Sequence, residues 1–152
     1  MQTSTVRVAA LVGCAAFLTS LPTAAQHAHQ ALPPVAAELH PGLGDYHFPI
    51  TTANADAQLY FDQGIRLLYG FNHDEAARYF RRAAELDPRS PMPHWGVALS
   101  IGPNYNDTAV DEARAQATYD AVENAKQRAA NASPRERDYV AALALRYPSP
   151  EP

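Results

Sequence analysis

With 152 residues the chain has room for one domain at most, and an apolar share of 47% is ordinary for a chain that buries a core. Twelve basic residues against sixteen acidic ones give a net charge of −4. The charges are interspersed along the chain, so no surface is shaped to neutralise a phosphate backbone, and nucleic acid is excluded as a partner.

Residues 1–25 read as an export signal: Arg7 precedes an apolar run from Val8 to Leu21, and Thr23-Ala24-Ala25 offers a small-residue cleavage site. The mature chain is then expected to start near Gln26 and to be secreted or periplasmic. The apolar run is too short to span a bilayer. Leu11-Val12-Gly13-Cys14 has the form of a lipoprotein box, but it comes early and the apolar run continues past it, so lipidation at Cys14 is the less favoured reading. Cys14 is the single cysteine, and its removal with the signal excludes disulfides and thiol catalysis.

Residues 26–54 are expected to form a disordered arm ending in a strap. Pro33, Pro34 and Pro41 keep the arm extended, because proline lacks an amide donor and biases its predecessor away from the helical region. The strap is the aromatic stretch Tyr46-His47-Phe48-Pro49-Ile50. His27 and His29 stand at the mature terminus, where an amine, backbone amides and an imidazole can hold copper or nickel. On them rests an alternative function of another class, a periplasmic metal-binding accessory.

A helical domain is predicted over 55–147, followed by a tail at 148–152. The first helix starts at a cap on Asn54 or Asp56 and runs to Gly70; Gly64 in its middle costs about 1 kcal/mol against alanine, which points to another backbone passing close by. A turn at 70–73 leads to a second helix over 74–86, with Ala76, Phe80, Ala83 and Ala84 on one stripe. Arg78, Arg81 and Arg82 lie among Asp74, Glu75 and Glu85 at helical spacing, the pattern of a solvated face with intrahelical ion pairs. A third helix spans 91–101. The fourth is capped by Asp107 or Thr108 and reaches Ala130, with Val110, Ala113, Ala117, Ala121, Val122, Ala125 and Ala129 facing inward. The fifth opens on Ser133, Pro134 and Glu136, a capping-box signature, and carries Tyr139, Val140, Leu143, Leu145 and Tyr147.

The spacing of Gly64, Ala76, Phe80, Ala83 and Pro88 within a helix-turn-helix of roughly 34 residues resembles the tetratricopeptide repeat. A longer run resembles a group of exported bacterial tetratricopeptide proteins: His47-Phe48-Pro49, then Asp87-Pro88, then Met92-Pro93-His94-Trp95-Gly96-Val97-Ala98. Ser90, Pro91 and Pro93 stand where that group often has cysteines, so no thiol role carries over. The resemblance implies an all-α fold of about five helices in antiparallel tetratricopeptide-like hairpins, with an extended N-terminal arm.

It also implies a concave surface lined by the first helix of each pair, where partner peptides lie. In that register Phe61, Ile65, Leu68 and Tyr69 of the first unit and Trp95 and Leu99 of the second form an apolar, aromatic face. That face lacks the lysine and asparagine that clamp a C-terminal carboxylate. Either a protein or peptide partner or the chain's own strap can fill it, and so short a stack leaves self-association open. No Ser-His-Asp set, glycine-rich phosphate loop or helical His-x-x-x-His occurs. His47, His73 and His94 read as packed or turn histidines, and no cofactor, metal site or catalytic residue is assigned. The expectation is a non-enzymatic interaction module of the cell envelope.

Overall fold

The computed structural model describes residues 37–152. The leader-like segment, Cys14, His27 and His29 lie outside the described residues. The chain is all-α, in the order α1 (Ala55–Tyr69), α2 (His73–Leu86), α3 (Pro91–Ile101), α4 (Glu112–Arg128), a 3-10 turn (Ala129–Asn131) and α5 (Pro134–Arg146). There is no strand among the described residues. No helix there is long and apolar enough to cross a membrane.

Local chemistry sets the helix ends. The Asn54 side chain accepts hydrogen bonds from the Asp56 and Ala57 amides and so caps α1. At α5 the Glu136 amide donates to the Ser133 hydroxyl, and the Ser133 amide donates back to Glu136, completing the capping box. Ser90 occupies the cap position of α3 without making a capping bond. The third helical residue is Pro93, which has no N–H to give.

The fourth helix starts later than its sequence suggests. Asp111 is its cap, accepting from the Arg114 amide at 2.8 Å, while the Asp107 carboxylate binds the Arg114 guanidinium at 2.5 Å. The inward stripe shifts accordingly to Ala115, Thr118, Ala121, Val122 and Ala125, and Ala113 and Ala117 face solvent.

Paired ends show the hairpins to be antiparallel. Asn54, at the start of α1, donates to the Leu86 carbonyl at the end of α2 (3.0 Å). Arg114 at the start of α4 donates to the Ile101 carbonyl at the end of α3, and Arg128 at the end of α4 reaches back to the Pro88 carbonyl. α5 then packs Val140 and Leu143 into the core, leaving Leu145 exposed and Tyr139 at the edge.

Phe80 of α2 is fully buried, and its ring is sandwiched between α1 and α3. Gly64 and Gly96 make room for it: a Cβ on either would lie within 2.8 Å of a ring carbon. What passes Gly64 is therefore an aromatic ring, where the sequence suggested a backbone. On the outer surface of α2, Arg78 pairs with Glu75 and Arg82 with Glu85 at i,i+3 spacing, solvent-screened contacts that add little to stability.

α1 ends in a Schellman arrangement, with the Asn72 amide donating to the Leu67 carbonyl and the Phe71 amide to that of Leu68. The left-handed position of this motif usually carries glycine. Here Gly70 comes one residue early, and Phe71 takes φ 61° with its ring largely exposed.

Candidate functional site

The described part of the arm, residues 37–52, folds back over α1 and grips it on two sides. On one side the Tyr60 hydroxyl donates to the Ala37 carbonyl at 2.9 Å, and the Tyr79 hydroxyl donates to the carbonyl of Glu38. Gln63 meets both main-chain groups of His40, accepting from its N–H and donating to its C=O, each at 3.0 Å. On the other side Arg66 donates to the Tyr46 carbonyl at 2.7 Å, and the chain then runs along the seam between α1, α3 and α5.

In that seam Phe48 is the only strap residue fully buried. Its ring stacks at 6.4 Å and 23° on Trp95, and lies 5.8 Å from Phe61 and 5.7 Å from Tyr139. The guanidinium of Arg135 sits 4.7 Å above it as a cationic lid. Aromatic contacts of this kind add ~0.5–1.5 kcal/mol beyond the area they bury.

Around this ring the side chains of α1 and α5 bind the main chain of the strap. Asp62 accepts from the Phe48 amide at 3.0 Å, and Gln58 donates to the Phe48 carbonyl and accepts from the Ile50 amide. Glu136 accepts from both the amide and the hydroxyl of Thr51. Asp62 is 4% exposed, so its oxygens need hydrogen-bond partners inside the fold. Besides the Phe48 amide it accepts from Gln58 at 2.8 Å and from His47 Nδ1 at 2.7 Å. Below the seam, the Thr52 hydroxyl donates to Asp87.

Two titrations are set by these surroundings. Burial pulls the Glu136 carboxyl upward, but the hydrogen bonds from Thr51 and Ser133 together outweigh it and hold the group below its usual range. His94 is pushed down to about 4, chiefly by burial and secondarily by the charge of Arg128. Its Nε2, the Ser90 hydroxyl and His73 Nδ1 are buried with no hydrogen-bond partner among the described residues. The described residues contain no group of three or more His, Cys, Asp or Glu side chains placed to hold a metal. His47, His73 and His94 thus have separate settings: a carboxylate, an edge contact with Phe71, and a half-buried position that feels the charge of Arg128.

The residues expected to line a concave face divide into two sets. Phe61 and Ile65 are fully buried and Trp95 is 6% exposed, with the strap's Phe48 packed on the Phe61 and Trp95 rings; Leu68 is buried too. Leu99 is partly buried against the core. Tyr69, 67% exposed, is the one that stands open to solvent. With the strap seated, the buried members offer no surface to another chain, because the strap supplies the aromatic partner itself.

The polar grip formed by Gln58, Asp62, Gln63 and Glu136 is absent from the expectations drawn from sequence. The available signal was the run Phe61-Asp62-Gln63-Gly64-Ile65, in which two polar residues interrupt the apolar face of α1 and so require partners if buried. No family model, no curated protein and no solved structure matches this chain.

Proposed function

We propose that the chain is a non-enzymatic protein-interaction module of the cell envelope, built on tetratricopeptide-type hairpins, whose seam between α1, α3 and α5 accommodates extended polypeptide. The supporting observation is the manner in which the strap is held. Asp62, Gln58 and Glu136 bond amides and a carbonyl of the strap, while one aromatic side chain fills a pocket. Extended peptides are recognised in this way, with main-chain bonds giving affinity and a pocket giving selectivity. The polar side chains of the seam are engaged in holding backbone, which favours binding over catalysis. Export rests on the leader-like pattern of residues 1–25.

A photo-crosslinking amino acid placed at Tyr69, three residues beyond the strap-binding Arg66 on α1 and open to solvent, tests this in exporting cells. We expect discrete adducts from Tyr69 that are absent when the same probe replaces Gln127 on exposed α4 surface. Identical adduct patterns from the two positions would refute the reading.

A further inference from the structure

We propose that the seam binds, as an exchangeable guest, an extended peptide carrying an aromatic residue immediately before proline and an aliphatic residue immediately after it. The chain's own residues 46–51 are then the resident competitor for that guest. The inference rests on the interaction-module reading and specifies its partner.

The strap defines the guest. Its recognised main-chain groups are the Tyr46 C=O, the Phe48 N–H and C=O, the Ile50 N–H and the Thr51 N–H. Position 49 falls within this series, and no bond to α1 or α5 is required from its nitrogen, so proline fits there without loss. Proline also holds the preceding residue extended, which lowers the ordering cost of a free peptide. Pro49 itself faces solvent, so the seam reads it through backbone shape.

Side-chain selectivity comes from the box of Phe61, Trp95 and Tyr139 under the Arg135 guanidinium. A flat aromatic ring fills it, and a cation above the ring face rewards that choice. Ile50 is half-buried at the edge of the core, a position suited to an aliphatic side chain.

The strap can leave without dismantling the helices. Its other half is held separately through Tyr60, Gln63 and Tyr79, and it joins the helical body only through the short connection before α1. Because it is tethered in cis, its effective concentration is high, and a free guest competes poorly until the resident contact weakens.

The test uses the full chain carrying Phe48→Ala and a fluorescent peptide copying residues 45–53. Fluorescence anisotropy should show the peptide binding this variant at least tenfold more tightly than it binds the unmodified chain. The same peptide with alanine for its phenylalanine should bind neither. Equal binding of both peptides by the variant, or binding of neither by a variant that keeps its helical circular dichroism, overturns the proposal.

Should Phe48→Ala fail to fold, amide hydrogen exchange on the unmodified chain decides. Exchange of the Phe48, Ile50 and Thr51 amides at least tenfold faster than the central amides of α1 is expected, since the strap opens locally. Equal protection overturns the proposal, because the strap then leaves only on global unfolding. Crosslinks at Tyr69 without peptide exchange would sink this inference and leave the interaction-module reading standing. Failure of both would sink the reading and this inference together.

Discussion

Gly96 and Phe80 are in contact so close that a methyl group on Gly96 would lie 2.5 Å from the ring's Cδ1. Alanine in place of a mid-helix glycine ordinarily gains about 1 kcal/mol. Here the ring is fully buried and Gly64 bounds its other face, so it has nowhere to retreat and overpacking of ~1–3 kcal/mol dominates. Gly96→Ala should therefore lower stability in urea unfolding, and a second change, Phe80→Leu, should recover part of that loss. Strictly additive single effects would show that the clash is not with Phe80.

Asp62 and His47 are bonded to each other but unequal in exposure: the Asp62 side chain is nearly sealed, and that of His47 is 56% exposed. Asp62→Ala strands the Phe48 amide and the Gln58 side chain, which should cost about 2 kcal/mol or more. His47→Ala gives up one largely solvated contact and should cost less than ~1 kcal/mol. Trp95 is the only tryptophan and stacks on Phe48, so its emission should shift to the red in the first variant and stay in place in the second.

Acid should destabilise the protein in two separable steps. His94 titrates near 4 in the folded chain against 6.5 when unexposed to the fold. Between those values the unfolded state binds the extra proton, and stability falls as pH drops from 6.5 toward 4. Because His94 is partly solvated, a fall of roughly 5 °C in melting temperature is expected, and His94→Gln should flatten this segment of the curve. Glu136 is shifted in the sense that stabilises the charged folded form. Its contribution is complete above the ordinary carboxyl range and disappears as pH falls below that range, so Glu136→Gln should remove only the lower step.

Phe71 holds a left-handed backbone that favours glycine, while its ring is 71% exposed and gains little from burial. Phe71→Gly should accordingly raise stability by about 1 kcal/mol. A loss of stability would show that the ring's edge contact with His73 outweighs the backbone strain.

The hairpins were legible because alanine and aromatic positions recur at helical spacing through 57–90, and the α5 start because Ser133, Pro134 and Glu136 together define one register. The strap was legible as a strap, being aromatic residues among prolines. The start of α4 was not: Asp107, Thr108 and Asp111 are all competent caps, and the choice was made by Arg114, whose side chain engages Asp107 and leaves Asp111 for the helix. The polar grip was hidden for a different reason. Asp62 and Gln63 stand as polar residues within the apolar face of α1, and nothing local says what they bond: their partners come from Phe48 and His40, 14 and 23 residues earlier, as Glu136 takes its partner from Thr51, 85 residues away. Local pattern carries no information about such pairings.

Thr51 and Glu136 are bonded across a sequence separation of 85 residues. Closing a loop of that length costs roughly 4 kcal/mol of chain entropy, and no part of it is recovered until α5 has docked. The strap's final position should therefore be reached late in folding, after both hairpins, although its residues are synthesised before α1 to α5. In pulse-labelled hydrogen exchange during refolding, the Thr51 amide should gain protection after the central amides of α1 and α2, so that a segment made ahead of these helices settles after them.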